Sequence, residues 1–570
     1  MIRSVIPACA LLVSCVLAQA QSGVPPLQAG VVYFLPETPE ESVAQLEAIQ
    51  ADGFNMVKIA SWVWTVPLEG TPLRAVVDAT LDWCDAHGMA VWLLHNIQWG
   101  SPGEGGDVEK ALTDPVADSR RSLEPWLSAL KGHSCVCGVL LGNEVSPGGP
   151  ELFDKRPAYL DAFREWLKEQ HGDVDALNRR WGTALADFDD VRVPGDIGRG
   201  EIDVTRFNRQ QFARFYDAIA RELVRPALPE VLCGSKGGAS PYILSQMPSY
   251  TVASWDDLLA NWPLWRTKLI VDTCKLPVFN SELHLYHDSY GFGPSVELSR
   301  YRYLTSAVLG ESMTASFAWG AWSKPEIRAV HEATPGILAD LRALEEFTRP
   351  FHSQPPAFYV LVTEQNEGGI DGTPPLELAY AHSAATGLPW RFVADIDLED
   401  LDSTALVIDS EWLTVRAAQE LARMSAATRL VFIGDIPETD EYGAPLPGDC
   451  LAGLQRAGRI IPAWSGLRGV LDCPELPEAY REIVDVPYLW WSPERGHHNL
   501  PIRYPRLEAQ RAETPDGVHL VVINHTREAV TAPVPFIGAG QSATDALTQS
   551  PVPEGPVEWP AFAVRFLRVR

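Results

Sequence analysis

The sequence predicts a (β/α)8 barrel, followed by a small doubly wound α/β domain and a C-terminal β-sandwich. Three observations lead there. From about residue 28 to 345, eight short apolar runs alternate with helix-like stretches. A shorter alternation of the same kind follows, from about 356 to 462. From about 506 to the end, strand-like runs are separated by turns alone. Strands alternating with helices imply parallel sheets, and eight repeats over roughly 300 residues match a closed barrel.

The first 20 residues read as an export signal. Arg3 supplies the positive charge, Val5 to Leu17 form an apolar run too short for a membrane helix, and Ala18-Gln19-Ala20 fits a cleavage site. A secreted or periplasmic protein is expected. In the alternative reading, Leu12-Val13-Ser14-Cys15 resembles a bacterial lipobox and would leave a lipid anchor on Cys15. No later stretch is long and apolar enough to span a bilayer.

The barrel is expected over 28–350. Its strand-like runs are Gly30–Leu35, Asn55–Ala60, Ala90–Asn96, Val136–Leu141, Val231–Ser235, Val252–Trp255, Val278–Asn280 and Met313–Ala318. Between them Glu40–Ala51, Leu73–His87, Ser119–Lys131, Arg206–Leu223 and Val296–Leu309 read as helices. The helical pattern is poorest on either side of the sixth run. In 356–462, Ala357–Thr363, Ala405–Ile408 and Leu430–Ile433 read as strands, and Leu376–Thr386 and Val415–Ser425 as helices. No G-x-G-x-x-G opens a helix there, so nucleotide binding is not supported. Residues 463–505, rich in Pro and aromatics, read as a linker, and 506–570 as the β-sandwich with strands Val518–Asn524, Thr531–Phe536 and Phe562–Val569.

Composition narrows the partners. A formal charge of −28 over 570 residues disfavours nucleic acid and anionic lipid and suits a neutral substrate. The 19 Trp residues are flat apolar platforms of the kind sugars stack on, or large core fillers. Nine Cys are scattered without a C-x-x-C, so a zinc or redox cluster is not expected. Cys135 and Cys137 should point to opposite faces of a strand. Cys450 and Cys473 would pair in an oxidising compartment or remain as buried thiols.

Two segments carry the chemistry. Leu140-Leu141-Gly142-Asn143-Glu144 is an apolar strand that ends in polar residues, and Pro277-Val278-Phe279-Asn280-Ser281-Glu282 is another. By count they end strands four and seven, whose C-terminal ends face each other across the mouth of a barrel, where such folds place their sites. Glu144 is then expected as a partly desolvated acid/base and Glu282 as nucleophile of a retaining double displacement, for which the carboxyl groups stand roughly 5 Å apart. Asn143 would donate to the sugar 2-OH; a turn-capping amide is the competing reading. Trp319, at the end of strand eight, is a stacking platform or part of the wall, with Trp62, Trp64, Trp99 and Trp322 as weaker platforms. His95 and Asn96 close strand three and would bind hydroxyls; a structural His is the competing reading. Trp255 and Asp256 end strand six beside the same mouth. His284 and His287 have helical spacing but no third ligand nearby, and are expected on a polar rim rather than on a metal. The sequon Asn524-His525-Thr526 carries no weight in a bacterial chain, which the lipobox-like residues hint at.

Asn143-Glu144 and Glu282 look like the acid/base and nucleophile of clan A glycoside hydrolases. More narrowly, the chain resembles glycoside hydrolase family 42, the β-galactosidases. Asp175-Ala176-Leu177-Asn178-Arg179-Arg180-Trp181-Gly182-Thr183 resembles the family's "LN-x-x-WGT" stretch and Ser254-Trp255-Asp256 its strand-six "SWD". Ser61-Trp62 and Phe317-Ala318-Trp319-Gly320 resemble its aromatic ends of strands two and eight. The resemblance implies an oligosaccharide or polysaccharide substrate, no cofactor, an amidotransferase-like trimerisation domain at 356–462 and a homotrimer. An active amidotransferase would need a nucleophilic Cys, and none lies between Cys274 and Cys450. The chain departs from the family at Gly142, where Asp is usual, at Asn96-Ile97-Gln98-Trp99-Gly100, where an arginine-containing segment is usual, and in lacking the cysteine zinc cluster of many members. A β-galactoside is the expected substrate. The other readings are another β-linked glycan, of mannan or glucan type, and a non-catalytic carbohydrate-binding barrel.

Overall fold

A computed structural model of the chain describes residues 28–60, 68–100, 107–154, 156–193, 198–257, 264–285, 295–321, 324–367, 374–401, 405–492, 496–538 and 540–570. The export segment, Trp62, Trp64, His287 and Trp322 lie outside the described residues.

Eight parallel strands form the barrel: β1 Gln28–Tyr33, β2 Met56–Ala60, β3 Ala90–His95, β4 Val136–Leu141, β5 Leu232–Gly234, β6 Ala253–Asp257, β7 Val278–His284 and β8 Met313–Phe317. They pair in the order β5-β4-β3-β2-β1-β8-β7-β6. Beyond the three-residue β5, a single parallel bridge between Lys236 and Ser254 joins it to β6 and closes the ring. The helix expected near the sixth strand is one turn, Pro241–Leu244, which explains its faint signal. Elsewhere helix ends follow local chemistry. Thr38 caps Pro39–Ala51 by accepting the Glu41 N–H, and Pro72–His87 stops at Gly88 in the left-handed region.

The barrel is filled rather than hollow. Trp92 of β3 meets Phe279 of β7 across the interior with ring centroids 4.7 Å apart. Gly138 of β4 makes room for this, since a Cβ there would stand 2.3 Å from the Trp92 ring. These two aromatics establish which residues on β3 and β7 face inward, because side chains alternate along a strand.

Five parallel strands follow: β9 Phe358–Val362, β10 Trp390–Ala394, β11 Ala405–Ile408, β12 Arg429–Ile433 and β13 Gly458–Ile461, in the order β10-β9-β11-β12-β13. This is a doubly wound sheet with two strands more than the sequence predicts. Both extra strands are edges, and β13 exposes Arg459 and Ile460, so its apolar signal is weak. Asp203, from the helix Glu201–Ile219, ties this domain to the barrel. It accepts from Tyr442 Oη at 2.6 Å and Trp181 Nε1 at 2.7 Å and lies 3.0 Å from His171 Nε2.

Residues 463–505 are more structured than the expected linker. Two 3-10 turns lead into a long antiparallel hairpin, β14 Ile483–Ser492 with β15 Gly496–Pro505. The C-terminal strands form a five-stranded and a two-stranded antiparallel sheet around one apolar cluster. Asn524 of the sequon is fully buried and donates to the Glu528, Trp559 and Pro560 carbonyls. Cys450 and Cys473 are free thiols, as are Cys135 and Cys137, so the disulfide alternative is overturned. No described helix is long and apolar enough to cross a membrane.

Candidate active site

The end of β4 is a tight, irregular exit. Gly142 (φ 74°) and Glu144 (φ 55°) both lie in the left-handed region. A Cβ at Gly142 would stand 2.6–2.8 Å from Val145, Tyr216 Oη and the Ile97 carbonyl, so this chain has no room for an Asp there. A non-glycine residue at positive φ costs roughly 1–3 kcal/mol and persists only where neighbours impose it. Here they do. Gly142 N donates to the His95 carbonyl at 2.8 Å, Val145 N to the Lys236 carbonyl at 3.0 Å, and Asn143 N to Asn96 Oδ1 at 3.1 Å. Gln98 Nε2 then donates to both Asn96 Oδ1 (2.6 Å) and the Asn143 carbonyl (2.7 Å).

Glu282 reaches the same place by a different irregularity. Phe279 faces the interior, so strict alternation would turn Glu282 toward the outer helices. The pairing of β7 slips between Trp255 and Asp257 on one side and between Asn280 and Leu283 on the other. Such a bulge re-aims a side chain, and Ser281 Oγ holds it by donating to the Trp255 carbonyl at 3.1 Å. Glu282 thereby points inward and is only 2% exposed.

Two buried lysines meet it. Lys58 Nζ lies 3.1 Å and Lys236 Nζ 2.7 Å from Glu282 Oε1, and both side chains are 0% exposed. Burial by itself pushes the Glu282 carboxyl up, but Lys58, His284 and Lys236 together overcome it and hold the group far below its ordinary value. His284 Nε2 lies 3.5 Å from Glu282 Oε2, and its ring stacks on Phe317 with centroids 4.7 Å apart. Lys236 also donates to Asn143 Oδ1 at 2.9 Å and to Glu144 Oε1 at 3.1 Å. One ammonium thus touches both glutamates, so those oxygens are less than about 6 Å apart, which fits the spacing of a retaining pair.

Several expected site residues lie elsewhere or act indirectly. Glu144 is 43% exposed rather than desolvated. His95 points outward to Ser122 of the helix Ala117–Leu130 at 3.1 Å, and burial lowers its pKa to about 4; it is a structural His and not a hydroxyl ligand. Asn96 shapes the β4 exit through its bonds to Asn143 and Gln98. Trp255 also faces outward and packs with Ile270 and Cys274, so it belongs to the wall. Asp256 ends a described strand, but its side chain lies outside the described residues. Trp319 is half-buried and meets His331 edge-on at 6.0 Å. Trp99 is buried on Phe212 and Phe215, with Nε1 bonded to the Pro147 carbonyl.

Sequence reasoning missed Lys58 and Lys236, named Phe317 only within the aromatic end of strand eight, and left His284 on the rim. Lys58 had a signal, a lone cation inside the apolar run Met56-Val57-Lys58-Ile59-Ala60. Lys236, two residues beyond a three-residue strand, had none.

A closed barrel carrying two carboxylates at the ends of β4 and β7 is the arrangement that the resemblance to clan A glycoside hydrolases implies. The family model for glycoside hydrolase family 42, described as "Beta-galactosidase", matches residues 122–265, a stretch that holds Glu144 and Lys236 but stops short of Glu282. A β-galactosidase from Arthrobacter sp. is 30% identical over 251 residues, covering 38% of this chain and 35% of that protein. The β-galactosidase BbgII of Bifidobacterium bifidum is 29% identical over 161 residues, covering 26% of this chain and 22% of that one. The chain therefore spans about a third or less of these relatives' own length. Among solved structures, a β-galactosidase from Bacillus circulans sp. alkalophilus shares the fold at TM-score 0.66 and 14% identity, with 96% of this chain and 99% of that one covered. An exo-carrageenase of family 42 from Bacteroides ovatus does so at TM-score 0.66 and 15% identity, with 96% and 82% covered. The chain is thus similar to glycoside hydrolase family 42 in sequence over residues 122–265, and to family 42 structures in fold over nearly its whole length.

Proposed function

We propose that the protein is a retaining glycoside hydrolase that cleaves β-galactosides by double displacement. The observation that carries this is the pair of glutamates, Glu144 and Glu282, joined through one ammonium less than about 6 Å apart. Glu282, held ionised by Lys58, His284 and Lys236, attacks the anomeric carbon. Glu144 protonates the leaving oxygen and afterwards takes a proton from the attacking water. Asn143 donates to the sugar 2-OH, and Phe317, stacked on His284, offers an aromatic face near Glu282. The relatives named β-galactosidase support the choice of sugar. Export through residues 1–20, with a lipid on Cys15 as the other form, and assembly as a homotrimer complete the proposal.

The test is a panel of nitrophenyl glycosides with wild type and Glu282→Ala, with the first anomer released followed by NMR. Turnover of the β-galactoside by wild type alone, with retention, is the expected result. Faster turnover of a mannoside or glucoside would move the sugar. Wild-type rates equal to the buffer blank on every glycoside would favour a binding barrel, and an inverted first product would refute the mechanism.

A further inference from the structure

Lys236 sits on the seam that closes the barrel. Its backbone bridges Ser254 of β6, and its carbonyl accepts the Val145 N–H at 3.0 Å, so both neighbouring strand ends fix where its side chain starts. The buried ammonium donates to Asn143 Oδ1 at 2.9 Å, Glu144 Oε1 at 3.1 Å and Glu282 Oε1 at 2.7 Å. These are the three groups that the proposed reaction uses.

We propose that Lys236 is the electrostatic pivot of the site, a fixed cation that stays paired while one negative charge passes from Glu282 to Glu144 and back. The proposal rests on the retaining reading and deepens it. Before reaction Glu282 carries the charge and Glu144 the proton. Attack forms the bond from a Glu282 oxygen to the anomeric carbon and breaks the bond to the leaving oxygen, which takes the Glu144 proton. Glu282 is then a neutral ester and Glu144 a carboxylate. In the second step Glu144 takes a proton from water, the water oxygen bonds to the anomeric carbon, and the ester bond breaks, returning the charge to Glu282. A cation 2.7 Å from one oxygen and 3.1 Å from the other compensates both states without moving. Preorganised charge of this kind avoids reorganisation during the reaction. Lys58, 3.1 Å from Glu282, faces the starting position of the charge. Lys236 also orients the amide. An ammonium only donates, so the oxygen of Asn143 must face it, which leaves the NH2 group on the other side as the donor for sugar.

Among the described residues, the charged and titratable groups facing Glu282 are Lys58 from β2, Glu144 beyond β4, Lys236 beyond β5 and His284 on its own strand. A cation that faced Glu282 alone would also aid its departure in the second step, so what marks the pivot is its pairing with the Glu144 carboxylate that exists between the steps.

The experiment uses the full chain and the dinitrophenyl form of the sugar that wild type hydrolyses fastest in the panel. That leaving group departs as the phenolate without the Glu144 proton, so kcat/KM reports the Glu282 end of the transfer, while breakdown of the glycosyl-enzyme, which needs the Glu144 carboxylate, limits kcat. For Lys236→Met both kcat and kcat/KM should fall by on the order of 100-fold, with KM changed by less than about threefold, as expected when both steps slow together. Lys236→Arg, which keeps the charge, should recover at least about tenfold of the lost kcat. Should Lys236→Met not fold, Lys236→Gln, which loses the charge but keeps a donor, carries the same expectation. A loss confined to kcat/KM, losses below about tenfold in both, or no recovery with Arg would overturn the pivot while leaving the retaining reading intact. Wild-type inactivity on every glycoside would remove the reaction, and this proposal with it.

Discussion

Replacing Glu282 by Gln should weaken the fold as well as stop turnover. Glu282 is 2% exposed, and the two ammonium groups at 3.1 Å and 2.7 Å from it are 0% exposed. The amide keeps the shape but removes the charge, so two buried cations lose the carboxylate they face. Glu144 remains near Lys236 but is 43% exposed, a partner weakened by solvent. Removing one partner of a buried pair costs about 3–5 kcal/mol, and that is the expected loss at pH 7. The sign with pH follows from linkage. The Glu282 carboxyl is depressed in the folded protein, so its stabilisation is complete above the ordinary Glu value and is lost as pH falls below it. The gap between wild type and variant should therefore narrow from pH 7 to pH 4. Urea unfolding followed by circular dichroism at both pH values measures it. A gap under about 1 kcal/mol at pH 7, or one that widens toward pH 4, would refute the reasoning. The result also bears on the activity panel, because a Glu282 variant lacks turnover for a chemical reason only if it is shown to be folded.

Two further outcomes are expected. Glu311 is 2% exposed, and burial raises its carboxyl to about 7 against the opposing effects of Ser306, Arg302 and Asn280. Its folded value lies above the unfolded one, so wild-type stability should decline as pH rises from about 4.5 through 7, and Glu311→Gln should remove up to about 3 kcal/mol of that decline; equal slopes for the two proteins in urea unfolding at pH 5 and pH 8 would refute this. Asp203→Ala leaves the donors of Trp181 and Tyr442 without their acceptor, at a cost of roughly 2–4 kcal/mol, and should let a protease cut between the barrel and the 356–462 domain at lower urea than in wild type; identical cleavage profiles would show that this junction does not depend on Asp203.

Much of the architecture was legible because it repeats. Most barrel strands are apolar runs of a few residues followed by a helix, because both faces of the sheet are buried; β5, followed by a single turn, is the exception. Two edge strands escaped notice: Gly458–Ile461 is half exposed and its apolar signal is weak, whereas Trp390–Ala394 is buried and was simply passed over. The outward aim of His95 was also readable, since Trp92 and His95 differ by an odd step along one strand.

The amino-acid sequence by itself determined the barrel, the order of the domains and the two strands whose ends carry Glu144 and Glu282. Alternation could not tell where Glu282 points, because a slip in pairing with β6 and β8 reverses it, and that slip belongs to three strands at once. Nor could it place Lys58 and Lys236 beside the glutamates, because both lie far from either one along the chain. Only closure of the ring brings the four charges within reach of one another. Local sequence sets each strand's own conformation; which charges meet at its end is decided by the neighbours it packs against.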